Sequence, residues 1–186
     1  MKLADIDAEQ LARDQLAAAL GRVQSALTGL DCGGYEVYRV NDGPPRPAVY
    51  DGSDWAHTTA GHAVYCLTRY AQRGDPLDAD VHEYLVSLIP LDAPEIDDLS
   101  SDVDGPLALV CQAALAREAI DGGHRVGTVW LAALAGVTPL RVRQLAAAGE
   151  IAAQLVESDR GRERYEVKAA EARRWLSARG VLGFAR

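Results

Sequence analysis

Apolar positions at helical spacing open the chain. Leu11, Leu16, Leu20, Val23, Leu27 and Leu30 fall near one face of a helix over 6–30, with Asp7 as a cap at its start. The stripe is narrow, so this helix packs either on its own domain or on a second copy of the chain. Residues 31–34 break the pattern. YEVYRV (35–40) alternates and is rich in β-formers, and AVY (48–50), across the turn-forming NDGPPRP, is its partner in a small β-hairpin. Helical spacing returns from a cap at Ser53 to Arg73, with Trp55, Val64, Leu67 and Tyr70 as core contacts, and RGDP ends it. Asp78 or Asp80 opens a short helix through Val81, Tyr84, Leu85 and Leu88. Residues 90–106 read as an acidic surface loop. LALVCQAALAREAI (107–120) is a strongly apolar helix, and DGGH (121–124) stops it. That break is the expected domain boundary, dividing the chain into 1–123 and 124–186.

Beyond the break the pattern becomes specific. LAALA (131–135) forms a helix with the small Ala132 where a neighbour must come close. Gly136 stands where a helix ends in a left-handed residue. Val137 tucks under the turn. Thr138 is a good N-cap and Pro139 suits the first helical position. Val142 and Leu145, three apart, face inward, which leaves Leu140, Arg141, Arg143 and Gln144 around the outward side. Gly149 and Glu150 close this second helix. IAAQLV (151–156) and RYEV (164–167) read as strands around a charged turn, ESDRGRE. KAAEARRWLSARG (168–180) is a last helix with Ala169, Ala172, Trp175 and Leu176 available for packing.

Composition changes the picture in one respect. The chain of 186 residues carries a formal charge of -8, which argues against nucleic acid as a partner. The charge is unevenly spread, however. Residues 124–186 hold eleven basic and six acidic side chains, a net of +5, and residues 1–123 carry -13. A basic module on an acidic body is the pattern expected of a nucleic-acid binder, because screening confines each charge to about 8–10 Å. A hydrophobic share of 48% supports a packed core. No apolar run reaches bilayer length, and the acidic N-terminus is unlike a signal peptide, so a cytoplasmic, non-membrane protein is expected. Cys32, Cys66 and Cys111, odd in number and far apart, fit reduced thiols. The usage, rich in Ala, Arg and Asp with two lysines, has the look of high-GC bacterial or phage coding.

A helix-turn-helix, a β-hairpin wing and a closing helix ending in WLSARG together resemble the excisionase-like, MerR-type winged helix-turn-helix DNA-binding domains. The resemblance covers 127–181. In that family the DNA domain usually stands first, with a coiled coil behind it; here it is C-terminal. The resemblance implies that Thr138, Leu140, Arg141, Arg143 and Gln144 lie on a recognition helix entering the major groove. It implies that Arg160, Arg162 and Arg164 lie on a wing touching backbone or minor groove. Arginine suits guanine, glutamine suits adenine, and both Arg and Thr hold phosphates.

Other constellations are weaker. His57, His62 and Cys66 match no structural zinc spacing, and no metal or cofactor is expected. Asp51, Asp54 and His57 lack an activated nucleophile, so no enzymatic activity is expected. The acidic stretch 92–104 lacks the glycine and closing glutamate of an EF-hand. The expected fold is mainly α (α+β): a C-terminal winged helix-turn-helix beside an acidic, mostly helical domain with a small hairpin. The expected function is sequence-specific binding of double-stranded DNA by a bacterial or phage-type transcriptional regulator. Its N-terminal domain then senses, forms a homodimer or binds a protein partner. The alternative is an antitoxin or adaptor whose acidic domain binds a partner protein.

Overall fold

A computed structural model of the chain describes residues 2–29, 55–88, 105–157 and 163–184. The hairpin expected at 35–50, the cap at Ser53, Cys32 and the acidic stretch 92–104 lie outside the described residues. The fold is mainly helical, with a three-stranded antiparallel sheet.

Helix α1 (Ala8–Gly29) starts where the sequence places its cap: Asp7 Oδ1 accepts the backbone N–H groups of Glu9 and Gln10 at 2.9 and 3.0 Å. Its stripe is buried at Leu11, Ala12, Leu16 and Ala19, and α1 packs on α2 (Thr59–Arg73). This part of the stripe is therefore covered within the chain. Leu20, Val23, Leu27 and Leu30 lie outside the described side chains. Helix α2 begins later than the spacing predicts. Trp55–His57 forms a separate 3-10 turn, and Thr58 is the cap, accepting from the Gly61 N–H at 3.1 Å. Gly74, at φ 77, ends α2 in the left-handed conformation. Helix α3 (Val81–Val86) is capped by Asp80, which accepts from Glu83 at 2.8 Å.

Helix α4 (Pro106–Asp121) is the centre of the molecule. It packs on α2, α3, α5 (Thr128–Ala135) and α7 (Ala169–Ala178). Ten of its residues are buried, from Leu107 to Ile120. A helix apolar on nearly every side has to lie inside. Its alanines, Ala108, Ala113, Ala114 and Ala116, let four neighbours approach closely. The boundary expected at 121–124 is crossed by side chains. Arg173 on α7 pairs with Asp121 at 2.9 Å and donates to the Ile120 carbonyl at 3.3 Å.

The chain then runs through β1 (Val126–Gly127), α5, α6 (Pro139–Ala147), β2 (Ala153–Glu157), β3 (Glu163–Val167) and α7. The sheet order is β1-β3-β2. Val126 faces Val167, Ala153 faces Val167 from the other side, and Glu157 faces Glu163 at the far end. Val126, Ile151 and Val167 are fully buried, which fixes the sheet against the helices. Ala172, Trp175 and Leu176 bury α7, as their spacing predicts.

Arg117 on α4 is almost wholly buried, and burial lowers its pKa. Its guanidinium donates to the Ala71 carbonyl (3.3 and 3.2 Å) and the Leu182 carbonyl (2.8 Å), and lies 4.3 Å from the Phe184 ring centre. One side chain thus joins α2, α4 and residues 182–184.

Candidate nucleic-acid interface

Helices α5 and α6 meet at a three-residue turn built as the sequence predicts. Gly136 sits at φ 64, ψ 34, a left-handed pair of angles that costs other residues about 1–2 kcal/mol. The Val137 N–H donates back to the Ala132 carbonyl at 3.1 Å, and Ala132 is fully buried under the crossing. Thr138 Oγ1 accepts the Arg141 N–H at 3.3 Å, and Pro139 takes the first helical position, where no N–H is needed.

The orientation of α6 follows from two residues. Val142 is 0% exposed and Leu145 is 4% exposed. The opposite side presents Leu140, 57% exposed, with Arg141, Arg143 and Gln144, all open to solvent; Thr138 is exposed at the start. Among the described residues neither Arg141 nor Arg143 is in an ion pair. The chain has no acidic residue from Gly122 to Gly149, so α5, the turn and α6 carry only positive charge.

The hairpin β2–β3 stands next to this helix pair in sequence. Arg160 and Arg162 fall in its turn, outside the described residues. Arg164 is exposed on β3, but it is tied to Glu166 two residues on, with Nη2 and Nε at 2.9 and 3.1 Å from Oε1. Its charge is therefore partly neutralised in the free protein. Leu155 on β2 is 47% exposed.

Two features escaped the sequence reading. Strand β1 is only two residues long, too short for any alternation to register. It sets Arg125 beside the hairpin, where Arg125 Nη1 donates to Gln154 Oε1. Arg125, Arg164, Glu166 and the first residues of α5 line a cleft of about 170 Å³. The basic residues of α7 behave differently from those of α6. Arg173 pairs with Asp121, Arg174 pairs with Glu171 at 2.7 Å, and Arg179 lies 4.8 Å from the Trp175 ring centre. Arg173 and Arg174 are thus held in ion pairs within the chain.

Among the described residues, no group of three or more His, Cys, Asp or Glu side chains could hold a metal ion. His62 Nε2 and Cys66 Sγ are 3.3 Å apart on one face of α2. Burial raises the Cys66 thiol above its usual pKa, which disfavours the reactive thiolate. Among the described residues, no helix is long and apolar enough to cross a membrane. No family model, curated protein or solved structure significantly matches the chain.

Proposed function

We propose that this chain is a duplex-DNA-binding regulator that reads the major groove with α6. The observation that carries the reading is the outward side of α6. Leu140, Arg141, Arg143 and Gln144 stand exposed there, on a helix held from behind by Val142 and Leu145. Arginine and glutamine are the side chains that discriminate guanine and adenine by paired hydrogen bonds. Leucine at the same surface suits a thymine methyl group.

The element order supports a winged helix-turn-helix as the reading unit. Helix α4, strand β1, helices α5 and α6, then the hairpin β2–β3 closing a sheet of order β1-β3-β2, is the arrangement such a unit has. In this reading α4 belongs to the unit as its first helix, and the hairpin turn with Arg160 and Arg162 is the wing. Arg125 joins Arg164 as a phosphate contact beside the start of α5. Helices α2 and α3 pack on α4, and α1 packs on α2; this group is suited to sensing or partner binding, and pairing of two chains doubles the DNA site.

The test is selection of bound duplexes from a random pool by the full chain, followed by titration of the enriched site at several salt concentrations. Enrichment of one short motif, with affinity falling as salt rises, supports the reading. No enrichment, together with no binding at low salt, overturns it.

A further inference from the structure

Lys2, Leu3 and Ala4, the end of α2, the α5–α6 turn and residues 179–182 line an open cleft of about 490 Å³. That volume is in the range of sites that hold small organic ligands. We propose that this cleft binds a small amphipathic organic anion, a single acid group on an apolar body. The proposal stands apart from the DNA reading.

Three observations carry it. The first is charge. Acidic residues outnumber basic ones by 27 to 19 in the chain, yet among the described residues the cleft is lined by Lys2, Arg73 and Arg179 and by no acid. Among the described residues none of these three is in an ion pair. Three cationic side chains on the rim of one recess are available to pair with an anion seated there.

The second is the apolar part of the wall. Leu134, Val137 and Val181 line the recess, and Leu182 stands 59% exposed on it. Apolar surface with a few convergent charges is how ligand sites fix both affinity and orientation.

The third is that the wall is already in place. The Leu182 carbonyl is held by Arg117 at 2.8 Å, and the Val181 N–H donates to the Leu176 carbonyl at 3.1 Å. Gln72 Nε2 donates to the Leu3 and Ile6 carbonyls at 2.8 and 2.7 Å, which ties the N-terminal segment to α2. The Lys2 stem lies 3.9 Å from where a Cβ on Gly136 would be, so Lys2 rests against the turn. A recess held open by such bonds loses little freedom on binding.

The test uses the full chain and two dyes of one shape. One is 8-anilinonaphthalene-1-sulfonate; the other is N-phenyl-1-naphthylamine, the same aromatic body without the sulfonate. The sulfonate is expected to bind once per chain, at least about tenfold tighter than the neutral dye. Lys2→Glu and Arg73→Ala are each expected to weaken the sulfonate about tenfold and leave the neutral dye unchanged. Arg73→Lys restores most of the loss. Lys2 is exposed and near the chain start, so its variant decides the matter even if Arg73→Ala fails to fold. Equal affinity for the two dyes, several sulfonate sites per chain, or unchanged sulfonate binding by the Lys2 variant would overturn the proposal.

Discussion

The guanidinium of Arg117 occupies the space that any side chain at position 183 would need. A Cβ built on Gly183 falls 2.6 Å from Arg117 Nη1 and 2.6 Å from the Arg73 carbonyl oxygen. Gly183 also has φ +80, so glycine is required there twice, for space and for backbone angle. Gly180 has a similar φ of +70 but nothing within 4 Å of its Cβ position. Gly180→Ala is expected to cost only the left-handed penalty of about 1–2 kcal/mol. Gly183→Ala is expected to cost about 1–3 kcal/mol more, from overpacking. Urea unfolding of both variants checks this, and equal losses would contradict the role given to Arg117.

The turn between α5 and α6 gives a second comparison. A Cβ on Gly136 meets nothing closer than Lys2 Cγ at 3.9 Å, so only the backbone resists substitution. Gly136→Asn is expected to cost less than about 1 kcal/mol, because asparagine tolerates the left-handed region. Gly136→Val is expected to cost about 2 kcal/mol or more, its branched Cβ being the poorest fit. Thermal unfolding separates them, and a valine variant as stable as the asparagine one would mean that the turn is built differently.

The turn was legible in the sequence because each of its residues has a local reason: Gly136 the angle, Thr138 the cap, Pro139 the first helical position. Val142 and Leu145 were legible for the same kind of reason, a helical spacing that selects one face. What was not legible depends on distant partners. Strand β1 exists because Val126 pairs with Val167, some forty residues on. Arg117 is ordinary in sequence and becomes a core residue only because the Ala71 and Leu182 carbonyls converge on it. The start of α2 moved from Ser53 to Thr58 because two adjacent segments both carry capping residues, and spacing alone does not choose between them. Arg164 read as a free wing charge, but a strand places residues two apart on one face, and Glu166 is its partner.

Cys111 supplies a pH test. Burial pushes its thiol up to about 12 from an ordinary value near 9, because the buried site disfavours the thiolate. The folded-state pKa is raised, so this contribution to stability is complete below about pH 9 and is lost as pH rises from there through about 12. Urea midpoints between pH 8 and 11 are expected to fall less steeply in Cys111→Ala than in the parent. In a Cys32→Ser background at pH 8, a thiol reagent is expected to modify Cys66 in the native chain and Cys111 only after unfolding. Native-state labelling of Cys111 at the Cys66 rate would contradict its burial.

The Arg164–Glu166 pair sets the expected behaviour of the wing. Arg164 must leave Glu166 to reach a phosphate, so Arg164→Ala is expected to weaken every duplex by only about 0.5–1 kcal/mol, less than a free arginine would cost. Glu166→Gln releases Arg164 and is expected to strengthen binding to all duplexes while steepening the salt dependence by about one contact. Anisotropy titrations of both variants at two salt concentrations check this. Weaker binding by the glutamine variant would mean that Arg164 does not face the DNA.

The assignment of α6 as the reader is tested most directly through Arg143. On the site selected from a random pool, Arg143→Ala in the full chain is expected to cost about 1–3 kcal/mol and to relax preference at one or two base pairs. Binding to random duplexes is expected to change far less. Competition titrations of the selected site against each single-base variant give both numbers. If Arg143→Ala weakens selected and random DNA alike, with base preference intact at every position, α6 is not the helix that reads.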